Sequence, residues 1–430
     1  MMTAWIISAV TCLLMVLAVL FYPQIKLGKV AIGSYWVVTL VGAAALILTG
    51  CVQLPALGAA LTADSAINPI KILVLFISMT ILSIFLDELG FFRYLANVAL
   101  KRAGTSQMKL FILLYVTVSI LTVFTSNDII ILSFTPFICY FAKNAKISPL
   151  PFLAAEFVAA NTWSMALIIG NPTNIYLVTA TGGDFVSYMT MMAPVTLGAG
   201  LVACLFLFLL FRKKLADPIQ ATPEEIVIED KLSLWVGIVH LAVCTVLLAV
   251  GSYIGLEMWL VSLLAVISLF LCNVVISVAR KAKPAALWAC LKRAPWELIP
   301  FILSMFVVVE SLHANGVTDQ LYHLLDTSAP VWSYGVTSFL EANLINNIPM
   351  SVLYSSILSG GATEAAVYAT VVGSNLGACL SPIGALAGIM WSSILKKHNL
   401  KFGYFDFLKI GITIAIPALI AALAMLDLMF

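Results

Sequence analysis

Apolar runs of about 20 residues, each long enough to cross roughly 30 Å of hydrocarbon, recur from one end of this sequence to the other. A chain built that way takes the bilayer as its solvent. Its residues are 62% hydrophobic and only 10% charged, against about a quarter charged in a soluble domain, and no soluble fold covers that much apolar surface. Full spans read as 4–22, 31–50, 72–89, 150–181, 190–211, 234–253, 258–279, 296–312, 365–395 and 406–428. The first of these lacks a basic n-region and an A-x-A site, so it reads as a retained span and not a cleaved leader.

Two apolar stretches fall outside that scheme. Segment 110–143 is interrupted by Thr125-Ser126-Asn127-Asp128, and 333–359 by Asn343-Leu344-Ile345-Asn346-Asn347-Ile348-Pro349. Each divides into arms of roughly 12 to 16 residues, which suits a re-entrant hairpin with a polar tip at membrane depth. The fold class expected is an all-α polytopic membrane protein, with about ten transmembrane helices, two re-entrant hairpins and broken helices.

Charge tests this arrangement. With both hairpins entering and leaving on one side, Lys26, Lys29, Arg93, Lys101, Arg102, Lys109, Lys143, Lys146, Arg212 to Lys214 and Lys231 share one face with Arg280, Lys281, Lys283, Lys292, Arg293, Lys396, Lys397, Lys401 and Lys409, and Lys71 falls opposite. The positive-inside rule makes the shared face cytoplasmic and places both termini outside. A single crossing at 110–143 would move every later cluster to the other side. The stretch 313–332, with Asp319 and Asp326 but no Lys or Arg, then lies outside.

The linker 213–233, with Pro218, Pro223, Glu224, Glu225, Glu229 and Asp230, divides the chain almost in half and reads as a cytoplasmic connector between a first repeat, 1–212, and a second, 234–430. Each half offers an acid-bearing span end, an amphipathic stretch, an Asn-tipped hairpin and a broken span. Because the first hairpin enters from the cytoplasm and the second from outside, the repeats are expected to be inverted, the arrangement in which secondary transporters build a site near the midplane.

A helix broken in the membrane leaves N–H groups at one stub and C=O groups at the other, tolerated only where protein, water or a solute satisfies them. The candidate solute-binding residues at the four breaks are Thr125, Ser126, Asn127, Asn171, Thr173, Asn174, Asn346, Asn347, Asn375 and Ser381, whose amides and hydroxyls bind polar solutes without a fixed charge. Each also fits a plain helix-capping role. Ionisable residues in spans mark ion or proton paths. Asp128 is the leading candidate for coupling, with Glu156 and Glu310 behind it; Asp128 also fits a permanently ionised helix cap. Asp87, Glu88 and Glu341 complete the set. No Lys or Arg falls in the membrane core apart from the peripheral Lys71, so a multiply charged anion would need helix ends or a bound cation.

Other classes have little support. The net charge of +2 gives no nucleic-acid footprint. His240, His313, His323 and His398 are too dispersed for an H-E-x-x-H site and there is no Walker loop, so no enzyme, metal site or cofactor is expected. The eight cysteines are scattered singly and read as small core residues.

Taken in order, several stretches resemble the ArsB/NhaD branch of the ion transporter superfamily, its arsenite permeases most closely. They are Leu86-Asp87-Glu88-Leu89-Gly90-Phe91-Phe92, Asn127-Asp128 with Thr135-Pro136, Arg293-Ala294-Pro295-Trp296, Asn346-Asn347-Ile348-Pro349 and Ser381-Pro382-Ile383-Gly384-Ala385-Leu386-Ala387. The resemblance implies an inner-membrane, homodimeric carrier with a scaffold and a moving part that works as an elevator. It implies export of arsenite or antimonite against proton entry, in some members with a soluble ATPase partner. Arsenite at neutral pH is mainly a neutral trihydroxide, which fits an amide and hydroxyl site. Gly170-Asn171-Pro172-Thr173-Asn174 looks more like the break of anion carriers in the same superfamily, and Glu156 and Asn161 depart from the permease pattern. A cation-coupled oxyanion or carboxylate carrier and a sodium/proton antiporter are therefore the alternatives, with sodium as the alternative coupling ion.

Overall fold

The computed structural model describes residues 2–430 except 23, 28–29, 64–67, 180–181, 220–226, 252, 326–327 and 401, and the backbone alone at 20, 26–27 and 30–31. Of the residues singled out above, Lys29, Pro223, Glu224, Glu225, Asp326 and Lys401 lie outside the described residues, as does the side chain of Lys26.

The chain opens with α1 (Met2–Phe21), a short antiparallel hairpin of β1 (Gln24–Leu27) and β2 (Val30–Gly33), then α2 (Ser34–Leu48) and α3 (Leu54–Thr62). The hairpin and an isolated antiparallel bridge between Ser106 and Pro218 depart from an all-helical chain. The hairpin takes up the residues that were expected to begin the second span, so α2 has 15 residues where 31–50 was read as a full crossing. Next, α4 (Pro69–Glu88) starts under the Asn68 side chain, which accepts from the amides of Ile70 and Lys71 at 2.9 and 3.3 Å, with Pro69 at its first position. A turn through Gly90, at φ 78°, re-aims the chain into α5 (Phe91–Ala103). There a residue without Cβ adopts the left-handed conformation at little strain.

The first interrupted stretch forms α6 (Gln107–Phe124) and α7 (Asn127–Asn144), both packed on α5, with the break at Thr125-Ser126 as expected. Each arm has 18 residues, longer than anticipated. The first broken span is α8 (Leu150–Trp163), two short 3-10 turns at Ser164–Ala166 and Ile168–Gly170, and α9 (Pro172–Thr179), followed by α10 (Phe185–Phe211). After the linker come α11 (Lys231–Gly251), α12 (Met258–Ala279), α13 (Ala285–Arg293), α14 (Leu298–Ala314) and α15 (Val317–Leu325). The second interrupted stretch is α16 (Pro330–Ile345) and α17 (Asn347–Leu358), and the second broken span α18 (Glu364–Gly377) and α19 (Leu386–Lys397), before α20 (Tyr404–Asp427).

Among the described residues, eight helices are long and apolar enough to cross a membrane by length and composition. The fuller expected set counted α2 and the two broken spans, which are built from shorter helices, whereas α6 joins the eight on its length.

Polar contacts fix how these helices stand. Lys71 and Glu257, 2.5 Å apart, join the starts of α4 and α12, while Arg293 at the end of α13 holds Asp87 and Glu88 at the other end of α4. The Glu297 carboxylate accepts from the Gly33 amide at 3.0 Å and the Tyr35 hydroxyl at 3.2 Å, joining the starts of α2 and α14, and the Asn315 amide reaches the Cys51 carbonyl at 3.3 Å at their far ends. Thus α4 runs parallel to α12, and α2 to α14. Lys71 and Arg293 sit at opposite ends of α4, as the charge count requires.

Packing follows one scheme in both halves. In each, the first arm of the interrupted stretch lies on the first helix of the broken span, α6 on α8 and α16 on α18; α7 packs on α19 and α17 on α9, and α10 and α20 pack together. The α16–α18 contact is a backbone approach made by small residues. A Cβ at Gly373 would run into Ser338 Oγ and the Gly335 carbonyl, and one at Gly377 would lie 2.8 Å from the Phe339 carbonyl oxygen. Gly373 and Gly377 form the G-x-x-x-G spacing that lets membrane helices meet this closely.

Candidate functional site

Each broken span has a polar residue near the end of its first helix. In both, that helix has 14 residues and the second helix starts 22 residues after the first, at 172 after 150 and at 386 after 364. Asn161 and Asn375 therefore hold the same place in α8 and α18. Both are fully buried.

Asn375 is the centre of a saturated network. Its Oδ1 accepts from Ser164 Oγ at 2.8 Å and from Asn171 Nδ2 at 2.9 Å, and its Nδ2 donates to Asn174 Oδ1 at 2.6 Å and to the Val371 carbonyl at 2.8 Å. Asn174 Nδ2 in turn donates to the carbonyls of Ser164 and Leu167, at 2.8 and 3.1 Å, closing the irregular backbone between α8 and α9. Asn171 Oδ1 accepts the Thr173 amide at 3.2 Å, the capping that a helix start requires. The carbonyls freed by the first break are thus met by the Asn174 amide, whose own oxygen is met by Asn375 of the second broken span.

The first tip joins this network through Asn161. Asn127 Nδ2 donates to Asn161 Oδ1 at 3.1 Å, Asn127 Oδ1 accepts the Asp128 amide at 3.0 Å, and Ser164 Oγ lies 2.8 Å from the Asn161 carbonyl. Asn161 was not among the binding candidates. The equal spacing of the two broken spans was the signal that pairs it with Asn375.

At the second tip Asn346 sits at φ 74° and ψ 149°, a strained backbone for a residue with a side chain. It is held there from both sides. Asn346 Nδ2 donates to the Ile383 carbonyl at 2.8 Å, its Oδ1 accepts the Ile348 amide at 3.3 Å, and the Asn347 amide donates to the Gly384 carbonyl at 3.0 Å. Ser381 Oγ donates to Asn343 Oδ1 at 2.6 Å, and Asn343 Nδ2 reaches the Gly377 carbonyl at 3.0 Å. The second tip is tied to the break of its own half, as Asn127 is to Asn161.

Of the remaining candidates, Thr125 bonds back to the Leu121 carbonyl at 2.8 Å. The hydroxyls of Ser126 and Thr173, one on the first tip and one at the start of α9, are buried without a hydrogen-bond partner. Thr122, Thr162 and Tyr176 likewise carry buried hydroxyls without a hydrogen-bond partner. All members of both networks are uncharged.

The acids fall in different places. Asp128 is half-buried in the first turn of α7, where the helix dipole favours a negative charge. Glu156 is fully buried on α8; its Oε1 accepts from Thr135 Oγ1 of α7 at 2.8 Å, while Oε2 has no hydrogen-bond partner. Glu310 and Glu341 are half-buried, and among the described residues no hydrogen bond ties Glu310 to either network. Asp87 and Glu88 pair with Arg293. Among the described residues no group of three His, Cys, Asp or Glu side chains is placed to hold a metal ion.

A profile of the citrate transporter family (CitMHS) matches residues 1–370. The chain is 30% identical over 379 residues to an arsenical pump membrane protein of Escherichia coli, covering 82% of this chain and 85% of that one. A putative arsenical pump membrane protein of Bacillus subtilis is 26% identical over 410 residues, with 87% and 89% covered. Among solved structures, the Alcanivorax borkumensis YdaH transporter aligns over 99% of this chain and 98% of its own with a TM-score of 0.57, and Neisseria gonorrhoeae MtrF over 98% and 94% with 0.53, both at 15% identity, a likeness of fold alone. The chain belongs to the citrate transporter family of the ion transporter superfamily, and is a multi-pass transporter of the cell membrane related to the arsenical pumps.

Proposed function

We propose that this protein is a secondary active transporter that exports arsenite or antimonite against proton entry, by an elevator-type displacement of the tips and broken spans against a scaffold. The observation that carries this reading is the pair of buried, uncharged amide networks at the four helix breaks, with the Ser126 and Thr173 hydroxyls left open beside them. A neutral trihydroxide presents donors and acceptors and no charge, and such a site matches it without a cation. The relatives' name as arsenical pumps supports the same substrate.

The repeats 1–212 and 234–430, with 213–233 as their connector, support the mechanism as an inverted pair. Both arms of the first hairpin lie on α5, and the two halves exchange contacts symmetrically, α7 on α19 and α17 on α9. The moving part comprises α6 to α10 and α16 to α20, and the scaffold α1, α2, α4, α11, α12 and α14. A homodimer with the scaffold at its interface fits this division.

Everted vesicles are expected to accumulate arsenite when a proton gradient is imposed, and their failure to do so for both arsenite and antimonite would refute the substrate. Asn127→Ala and Asn346→Ala each remove an amide that ties a tip to a break, and each is expected to lower exchange by about tenfold, the equivalent of one lost buried hydrogen bond. Asp128→Asn separates coupling from binding. It is expected to abolish accumulation driven by the proton gradient while preserving arsenite counterflow; a variant that still accumulates would move the coupling role to Glu156.

A second reading, cation-coupled transport of an oxyanion or carboxylate, is supported by the match to the citrate transporter profile and by the Gly170-Asn171-Pro172 break. A thermal-shift screen with arsenite, antimonite, sodium and citrate separates the two, since a ligand that binds the folded state raises its stability by mass action.

A further inference from the structure

Two motifs singled out in the sequence, Asp87-Glu88 and Arg293, take no part in the amide networks, yet they meet at the end of α4. Arg293 Nη2 donates to Asp87 Oδ2 at 2.8 Å and Nη1 to the Glu88 carboxylate. The second oxygen of Asp87 is engaged from a different quarter. Ser133 Oγ of α7, the second arm of the first hairpin, lies 2.6 Å from Asp87 Oδ1. The side chain of Asp87 is 13% exposed, so this contact is sheltered from water.

The chemistry of the contact makes it easy to open. Ser133 Oγ also lies 2.7 Å from the Ile129 carbonyl one turn back in its own helix, so its single proton has two acceptors. When the hydroxyl leaves Asp87 it keeps the Ile129 carbonyl, and Asp87 keeps Arg293. Only Asp87 Oδ1 gives up its partner, while its other oxygen keeps Arg293 and the Ser133 hydroxyl keeps its carbonyl, so separation costs less than orphaning both groups. A bond whose donor has a second acceptor, and whose acceptor stays held by an arginine through its other oxygen, suits a reversible fastening between two bodies.

The arrangement is also one-sided. Ser133 is the seventh residue of α7, and the seventh residue of α17 is Leu353, an apolar side chain. At the other end of α4, where Lys71 and Glu257 pair, a cavity of about 340 Å³ separates α4, α11 and α12 from the chain between α9 and α10, lined by Lys71, Asp184, Leu248, Glu257 and Trp259. One end of α4 is fastened to a moving element, while the other borders open space.

We propose that Ser133, Asp87 and Arg293 form a latch on the cytoplasmic side that holds the first hairpin against the scaffold in this conformation and must release in each transport cycle. The proposal rests on the carrier reading above. Arg293 acts as a positioning residue, fixing Asp87 where α7 can meet it.

The test reads the latch without any solute. Hydrogen–deuterium exchange of amides in 121–130 is followed in the purified full-length protein. Ser133→Ala is expected to raise exchange there severalfold, and Ser133→Thr, which restores a hydroxyl, to return it to the wild-type value. In a chain carrying Asp87→Cys and Ser133→Cys, with Cys139 and Cys290 replaced by alanine, a short bis-thiosulfonate cross-link is expected to slow exchange, stop arsenite flux and reverse on reduction. Wild-type exchange in Ser133→Ala, equal loss in the alanine and threonine variants, no cross-link, or unimpaired flux when cross-linked would each overturn the latch. If arsenite is not transported by any form, the exchange data still decide the latch, and the substrate reading alone falls.

Discussion

Asn375→Ala is expected to abolish solute exchange and to lower the stability of the detergent-solubilised protein by about 2 kcal/mol or more, because at least two buried partners lose their hydrogen bonds at roughly 1 to 3 kcal/mol each. The partners left behind are Asn171 Nδ2 and Asn174 Oδ1, both buried where water does not replace the missing amide, while Ser164 Oγ keeps the Asn161 carbonyl. The flux effect follows from where these residues sit. Asn171 and Asn174 hold the break of the first half, and Asn375 belongs to the second, so one amide sets the relative position of the two broken spans. Asn171→Ala removes a single donor to Asn375 and the Thr173 cap, and its stability loss is expected to stay near 1 kcal/mol. Thermal unfolding followed by fluorescence, with exchange in proteoliposomes, measures both. An Asn375→Ala protein that melts within a degree of wild type and exchanges solute normally would show that these amides do not hold the breaks.

Gly373→Leu is expected to prevent assembly of the second half altogether. In lipid there is no hydrophobic drive to press helices together, so the α16–α18 pair depends on close van der Waals approach. A Cβ at Gly373 already meets Ser338 Oγ and the Gly335 carbonyl, which is backbone and has no rotamer to yield. A leucine there forces the helices apart and unseats Asn375 two residues on. Overpacking a tight core costs about 1 to 3 kcal/mol when neighbours can shift, and the backbone obstruction here places the effect above that range. Fluorescence-detected size exclusion should show the monodisperse peak replaced by aggregate. Gly198→Leu is the comparison, since its nearest neighbour is the flexible end of Met425, and that variant is expected to remain monodisperse.

Much of the architecture was legible because membrane helices announce themselves by length and apolarity. The tips at Asn127 and Asn346 were readable for the same reason, as polar residues stranded in apolar runs. What escaped was set by partners distant in sequence. The hairpin Gln24–Leu27 with Val30–Gly33 reads as part of an apolar run, and only strand pairing separates it from α2. The arms of the first hairpin proved longer than expected because Gln107 to Lys109 and Lys143 continue the helices past the apolar core. Asp87 and Glu88 read as candidate intramembrane acids until Arg293, 206 residues beyond Asp87, proved to pair with both. Asn161 stood out as a departure from the permease pattern but not as a site residue, because a single Asn in an apolar helix has no local signature; its meaning comes from the matching place of Asn375.

The composition of the two networks has a consequence for regulation by acidity. Side-chain amides and hydroxyls neither take up nor release protons across roughly pH 4 to 10, so under the proposed function the grip on an uncharged cargo stays constant while cytoplasmic acidity drifts. Under the proposed function, a response of flux to acidity enters through titratable groups outside the networks, Asp128 and Glu156 among them, leaving recognition and energisation as separately adjustable properties of one small machine.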